Sequence, residues 1–211
     1  YDIFLRDVGL VVWTAHRFRT TQEAFRDIHA LVDNYDHLRK RVKKVRTANG
    51  EEGIELLSGA RLDFLARTSG GGRGLSGDTV VLDEALYLTP TMMGSLLPTL
   101  SAKPDPAVRY GSSAGLRESE VLRMIRDRGR AGGDPSLVYV EWSTEPGKCG
   151  RPECDHKPGT RDCQLDDVAM WHAANPALGR RISVDYLSAE RRALPPKEFA
   201  RERLGWWEDP P

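Results

Sequence analysis

The sequence contains no G-x-x-x-x-G-K-[ST] stretch, so nothing in its 211 residues matches the loop that cradles a triphosphate with backbone amides and a lysine. It has no net charge either. Its 31 Lys and Arg are balanced by 31 Asp and Glu, which excludes a bulk polycation and leaves any nucleic-acid contact to a local patch. No apolar run approaches membrane-spanning length. The opening Tyr1–Leu5 lacks the basic start, long apolar stretch and cleavage site of a signal peptide. It also lacks a methionine and begins in mid-pattern, which points to a fragment. Cysteine is scarce: the three cysteines all lie between Cys149 and Cys163, and with a histidine nearby they suggest a metal more than disulfides in a soluble cytoplasmic protein. The length suits one large α/β domain, or one domain plus an appendage.

The stretch that organises the rest is Thr79-Val80-Val81-Leu82-Asp83-Glu84-Ala85. A short, β-branched apolar run ends in two adjacent carboxylates. It reads as a buried parallel strand, and unpaired carboxylates inside a core would be costly. At the C-terminal end of such a strand the chain meets the crevice where α/β sheets bind ligands. There Asp83 can hold a magnesium ion and Glu84 can orient or deprotonate a water, the Walker B arrangement of an NTPase. The plainer reading is a strand that ends in acidic residues before a helix.

Leu10–Thr14 reads as a buried strand, and Thr20 with Glu23 suggests a capping box opening a helix that runs to about Asn34. Asn49-Gly50 is a turn signal inside a small antiparallel ribbon, and Arg61–Ala66 alternates as a strand. The Gly-rich stretch from Ser69 to Asp78 places Arg73 just before the acidic strand, where a guanidinium can reach a phosphate or simply decorate a linker. Thr89-Pro90 reads as an N-cap and first helical residue, with the helix stopping near Pro98. Val108–Gly115 reads as a strand ending in small hydroxyl residues, Ser112 and Ser113 among them. A helix from about Glu118 to Arg128 comes next, with Arg117, Arg123, Arg126 and Arg128 on its outer face, then a strand over Leu137–Trp142. Repeated strand–loop–helix units predict a doubly wound, mostly parallel sheet.

Cys149, Cys154, His156 and Cys163 are spaced C-x4-C-x-H-x6-C. Three thiolates and one imidazole are the full donor set of a tetrahedral structural zinc. Reduced spectator cysteines and a disulfide remain the alternatives. Leu165–Asp167 opens a helix through Ala174, Ser183 caps another through Leu194, and Pro195-Pro196 starts a last one through Leu204.

Taken together, the pieces resemble the ATPase domain of a tailed-phage terminase large subunit. The matching residues are Trp13–His16 with Thr20–Phe25, Arg73-Gly74-Leu75 leading into Val80–Ala85, Ser112–Gly115, and Trp171-His172-Ala173-Ala174-Asn175-Pro176-Ala177-Leu178-Gly179. Phe199–Glu202 and the closing tryptophans resemble the end of that domain, where a linker to a nuclease domain begins. The resemblance implies a RecA-like P-loop NTPase fold of the ASCE type. It implies a core over residues 1–142, a Cys/His insertion over 143–165, and C-terminal helices with the start of a linker over 166–211. It implies ATP and Mg2+ as cofactors, with Asp83 holding the magnesium, Glu84 activating the attacking water, Ser112 and Ser113 in a coupling motif, and Arg73 acting in trans on a neighbour's ATP. The implied activity is ATP-driven packaging of double-stranded DNA into a procapsid, in the host cytoplasm. The implied partners are DNA, the portal protein, the small terminase subunit and copies of the same chain in a ring, with no membrane. The family's Walker A loop belongs upstream of Tyr1 and its nuclease after Pro211, so this piece alone is expected to be inactive. The rival readings are a DExx-type helicase, on Asp83-Glu84-Ala85-Leu86, and a non-catalytic zinc-stabilised interaction module built on an NTPase fold.

Overall fold

Six strands form one sheet in the order β2-β3-β4-β1-β5-β6, and the four that carry the candidate site run parallel. The structure is a computed structural model and describes residues 1–67, 77–151 and 153–209. The chain divides into two compact units, Tyr1–Ser112 and Ser113–Pro211.

In the first unit a short helix α1 (Asp2–Leu5) precedes β1 (Leu10–Ala15), which occupies the sheet between β4 (Arg61–Ala66) and β5 (Thr79–Leu82). Val11, Val12, Thr14 and Ala15 are all buried, so both faces of β1 are covered, as expected for an unalternating apolar run in a parallel sheet. Helix α2 (Phe18–Asn34) lays Phe25 and Val32 into a core with Val11, Ile54, Leu56, Leu62 and Phe64. The predicted capping box at Thr20 is not used. The helix starts three residues earlier, with Arg17 at the N-cap in place of Thr20. The neighbouring Thr21 hydroxyl donates to the Phe18 carbonyl at 2.7 Å, an interior contact and not a cap. After α3 (Asp36–Arg39), β2 (Val42–Arg46) and β3 (Gly53–Leu56) form the expected antiparallel ribbon, with Gly50 at a positive φ of 81° in its turn. The pairing of β3 with β4 is also antiparallel.

Helix α4 (Pro90–Leu100) begins as predicted, the Thr89 hydroxyl accepting from the Met92 amide at 3.3 Å. It does not stop at Pro98. Leu96 and Leu100, both buried, anchor the helix on either side of the missing N–H. The strand β6 (Ala107–Tyr110) then pairs with β5 and lies at the edge of the sheet.

The second unit is helical: α5 (Glu120–Ala131), α6 (Val168–Ala174), α7 (Val184–Ala193) and α8 (Pro196–Leu204). Its core gathers Leu165, Trp171, Leu178, Leu187, Phe199 and Leu204. The predicted strand over Leu137–Trp142 is not formed: the segment carries no regular secondary structure. Val138, Val140 and Trp142 face solvent, while Tyr139 lies against Gly129 so closely that a Cβ there would sit 2.3 Å from its ring. β-propensity describes a fit to a half-buried pleated surface; this segment has the side chains without the neighbouring strand. No helix among the described residues is long and apolar enough to cross a membrane.

Candidate functional site

The register of the parallel strands brings their C-terminal ends to one rim. Ala15 pairs with Ala66, Thr14 with Leu82, and Leu82 with Tyr110. The residues just past the strand ends therefore meet there: His16 after β1, Arg67 after β4, Asp83-Glu84 after β5, and Gly111-Ser112 after β6. This is the place where open α/β sheets bind ligands.

Asp83 and Glu84 are both half-buried. The Asp83 amide donates to the Thr14 carbonyl at 2.8 Å, continuing the ladder one step beyond the strand. The chain then turns sharply. Glu84 takes a left-handed backbone, φ 50° and ψ 48°, and its amide donates to Asp83 Oδ1 at 2.9 Å. Non-glycine residues rarely adopt this conformation, and such residues concentrate at functional sites. A 3-10 turn over Ala85–Tyr87 comes next, tied to β6 and its continuation twice. The Ala85 amide donates to the Gly111 carbonyl at 3.0 Å, and the Leu86 amide donates to Ser112 Oγ at 3.0 Å. Tyr87 stacks on His16 with ring centroids 4.6 Å apart.

Arg67 is a residue that sequence reasoning missed. Buried to 9% exposure, its guanidinium donates to the carbonyls of Thr14 at 3.0 Å, Asp83 at 2.6 Å and Glu84 at 3.2 Å. Burial pushes its pKa down, opposed by the charges of Glu84 and Asp83. Among the described residues, Arg67 stands against two carboxylates here, Glu84 Oε2 is buried and accepts no hydrogen bond, and the Thr14 hydroxyl is likewise buried without a partner. A buried carboxylate oxygen with nothing donating to it fits a cation or a water. The signal for Arg67 was present but faint: a basic residue immediately after a strand whose register ends level with β1.

Of the sequence-predicted residues, the structure brings together Asp83, Glu84 and Ser112. Ser113 begins the second unit. Arg73 lies outside the described residues. Three of the four arginines read as an outer helix face have internal partners: Arg123 and Arg126 both reach Asp209, Arg126 lies 4.3 Å from the Trp207 ring centroid, and Arg128 pairs with Asp134; Arg117 precedes α5.

The second constellation lies in the second unit. The ligand atoms of Cys149, Cys154, His156 and Cys163 all fall within 4.8 Å of one another, and the three cysteines are free thiols. His156 Nδ1 is 3.6 Å from the sulfurs of both Cys149 and Cys163. The His156 backbone N–H, directed at the Cys154 sulfur, holds that thiol below its ordinary pKa, while burial pushes Cys163 up to about 11. Cys163 also belongs to the helical core, so the segment is anchored by packing as well as by its polar turns.

The specific-looking Trp171–Gly179 string forms a clasp. Trp171 Nε1 donates to the Leu165 carbonyl at 2.9 Å, and Asn175 Nδ2 donates to the carbonyls of Trp171 at 2.8 Å and Arg203 at 2.7 Å, joining the ends of α6 and α8. Gly115 has an equally local reason: a Cβ there would sit 2.3 Å from the Trp207 ring.

No protein-family model and no curated protein sequence matches the chain. Solved structures do. The HK97 bacteriophage large terminase superposes with a TM-score of 0.72 at 18% identity, over 94% of this chain and 40% of that one. The chain shares its fold with bacteriophage large terminases. The large terminase of a thermophilic bacteriophage superposes with a TM-score of 0.59 at 10% identity, over 95% of this chain and 41% of its own. A looser likeness, TM-score 0.40 at 15% identity, is to a mutant form of the large terminase ATPase domain of Thermus phage P74-26, over 54% of this chain and 52% of that one. The chain thus spans about two fifths of the length of the first two terminases, as the 40% and 41% coverages state.

Proposed function

We propose that this chain is the ATPase portion of a viral DNA-packaging terminase large subunit, which couples ATP hydrolysis to movement of double-stranded DNA into a procapsid. The observation that carries the reading is the Asp83-Glu84 pair at the C-terminal rim of the parallel strands, with Glu84 Oε2 buried and unpartnered. The terminase fold supports it.

In this reading Asp83 holds magnesium, directly or through water. Magnesium, when bound with ATP, supplies neutralisation of the charge developing on the phosphoryl oxygens. Glu84 Oε2 accepts the proton of the attacking water, a task that suits a buried carboxylate oxygen with no competing donor. Arg67 fixes the backbone carbonyls on either side of the turn, so both carboxylates keep their aim. Ser112, bonded to the turn just past Glu84, supplies a mechanical link from the acidic pair to β6, in keeping with a coupling role shared with Ser113. Arg73 acts in trans on a neighbouring subunit's nucleotide, in a ring that works with DNA, the portal protein and the small terminase subunit in the host cytoplasm. The phosphate-cradling loop and a nuclease domain are supplied elsewhere in the longer protein, and without that loop this piece does not turn over ATP.

The deciding experiment is Glu84→Gln in the full-length protein. Steady ATP turnover is expected to fall by about 10²–10⁴-fold, the usual weight of a general base. Nucleotide binding should persist. Turnover that stays at the wild-type level removes Glu84 as the base, and with it the main support for the motor.

A further inference from the structure

We infer that Cys149, Cys154, His156 and Cys163 bind one structural Zn2+, through three thiolates and His156 Nδ1, with Arg191 as the buried cation that balances the site. The argument starts from distances. With zinc–sulfur bonds of about 2.3 Å and a zinc–nitrogen bond of about 2.1 Å, the sulfur-to-nitrogen edge of a regular tetrahedron is about 3.6 Å. The two sulfur–Nδ1 separations here are both 3.6 Å. A hydrogen-bonded thiol would satisfy one such contact; two equal contacts converging on a single Nδ1, with a third sulfur inside the same 4.8 Å cluster, describe the edges of a metal polyhedron.

The chain around the ligands is already shaped to hold them. Asp155 Oδ1 accepts from the Lys157 amide at 3.1 Å and the Thr160 hydroxyl at 3.0 Å, which closes a tight knuckle around His156, itself at a positive φ of 53°. The Gly150 amide donates to the Asp162 carbonyl at 3.0 Å, which brings the first and last ligands side by side. Cys163 is 4% exposed and Leu165 2%, so the far end of the ligand loop is rooted in the helical core.

Charge supplies the independent observation. Three thiolates and one Zn2+ leave one negative charge in excess. Arg191, on α7, is 2% exposed, and its Nη2 donates to the His156 carbonyl at 2.7 Å and lies 3.9 Å from Cys163 Sγ. Its Nε pairs with Asp166 at 2.9 Å but at an angle too poor for a hydrogen bond, and Nη1 has no hydrogen-bond partner either. Arg191 is ion-paired with Asp166, so what its spare nitrogens offer is hydrogen-bond donors beside Cys163 Sγ, and a metal-bound thiolate accepts them better than a neutral thiol does. On binding, the three thiol protons leave to solvent, and the imidazole proton resides on Nε2. Four protein ligands close the coordination sphere, so the ion clamps the loop to α7 and performs no chemistry.

The test is made on the whole chain purified without chelator or added metal. Elemental analysis should find about one zinc per chain. A mercurial added stepwise should release that zinc to a chromogenic chelator as the three thiols react. Co2+ put in its place should give the intense visible bands of a tetrahedral thiolate site. Cys154→Ser should lose the metal. If that variant does not fold, Arg191→Met decides: zinc affinity should fall by about 10–100-fold while helix content is retained. Folded wild-type protein that contains no zinc and whose thiols react freely overturns the assignment, as does full zinc retention by Cys154→Ser, or a different metal in the site. None of these outcomes bears on Glu84.

Discussion

At the rim of the sheet in the first unit, the buried polar atoms left without hydrogen bonds include acceptor oxygens, Glu84 Oε2 and Thr14 Oγ1; in the helical second unit those among the described residues are all guanidinium nitrogens, of Arg191 and Arg201. The rim also holds an orphaned donor, Arg67 Nε, and the arginines of the second unit are already ion-paired, Arg191 with Asp166 and Arg201 with Glu198 and Glu202. A buried orphan therefore carries information only together with the charges already paired beside it: the unmet oxygen of Glu84 fits a cation or a water, and the spare nitrogens of Arg191 fit an acceptor such as a thiolate.

The largest break in this comparison should come from Arg67→Met. It leaves Asp83 and Glu84 without the buried cation beside them and strips three carbonyls of their donor. Removing one partner of a buried charge group costs about 3–5 kcal/mol, which should show as a lowered denaturation midpoint. A denaturation midpoint unchanged from wild type would mean that the rim tolerates its surplus negative charge. Next in size, Asn175→Ala should cost roughly 1–3 kcal/mol, because two carbonyls at helix ends lose their shared donor. Denaturant titration measures it, and helices that stay equally stable would show the Trp171–Gly179 string to have some purpose other than the clasp.

The smallest effect is an acid one, read here at two carboxyls of the second unit. Burial raises the pKa of Asp209, but hydrogen bonds from Arg126 and Arg123 overcome it and hold the carboxyl below 3.8; the Arg130 hydrogen bond likewise holds Glu141 below 4.5. Both groups are depressed on folding, so their stabilisation is full above those ordinary values and drains away as the pH falls below them, through the lower values of the folded state. Melting curves recorded down through this range should shift less for the Asp209→Asn, Glu141→Gln double variant than for wild type. An equal shift would place the acid sensitivity elsewhere.

Much of this was legible beforehand. β1 and β5 are short apolar runs that read as uninterrupted hydrophobic strands, as a parallel sheet covered on both faces requires, while β4 was legible from its alternation. The acidic pair was readable because two carboxylates after such a run are costly anywhere but a rim. That Cys149, Cys154, His156 and Cys163 come together was suggested by their spacing, which left spectator cysteines and a disulfide open. Three features were not. Arg67 acts on carbonyls 16 and 17 residues away in sequence, a relation set only by strand order. Leu137–Trp142 carries strand-like residues, but pairing depends on a neighbour that no local pattern encodes. Arg123 and Arg126 looked like part of an open basic face because their shared partner, Asp209, lies more than eighty residues on.

The turn at Glu84 has a consequence for how this protein could be improved. A glycine there would adopt the same backbone without penalty, relieving on the order of 1 kcal/mol of steric cost. Glu84→Gly should therefore melt higher than the parent. Selection for thermal hardiness alone would drift towards glycine at this bend, so a carboxylate kept there at a steric cost points to a purpose other than stability.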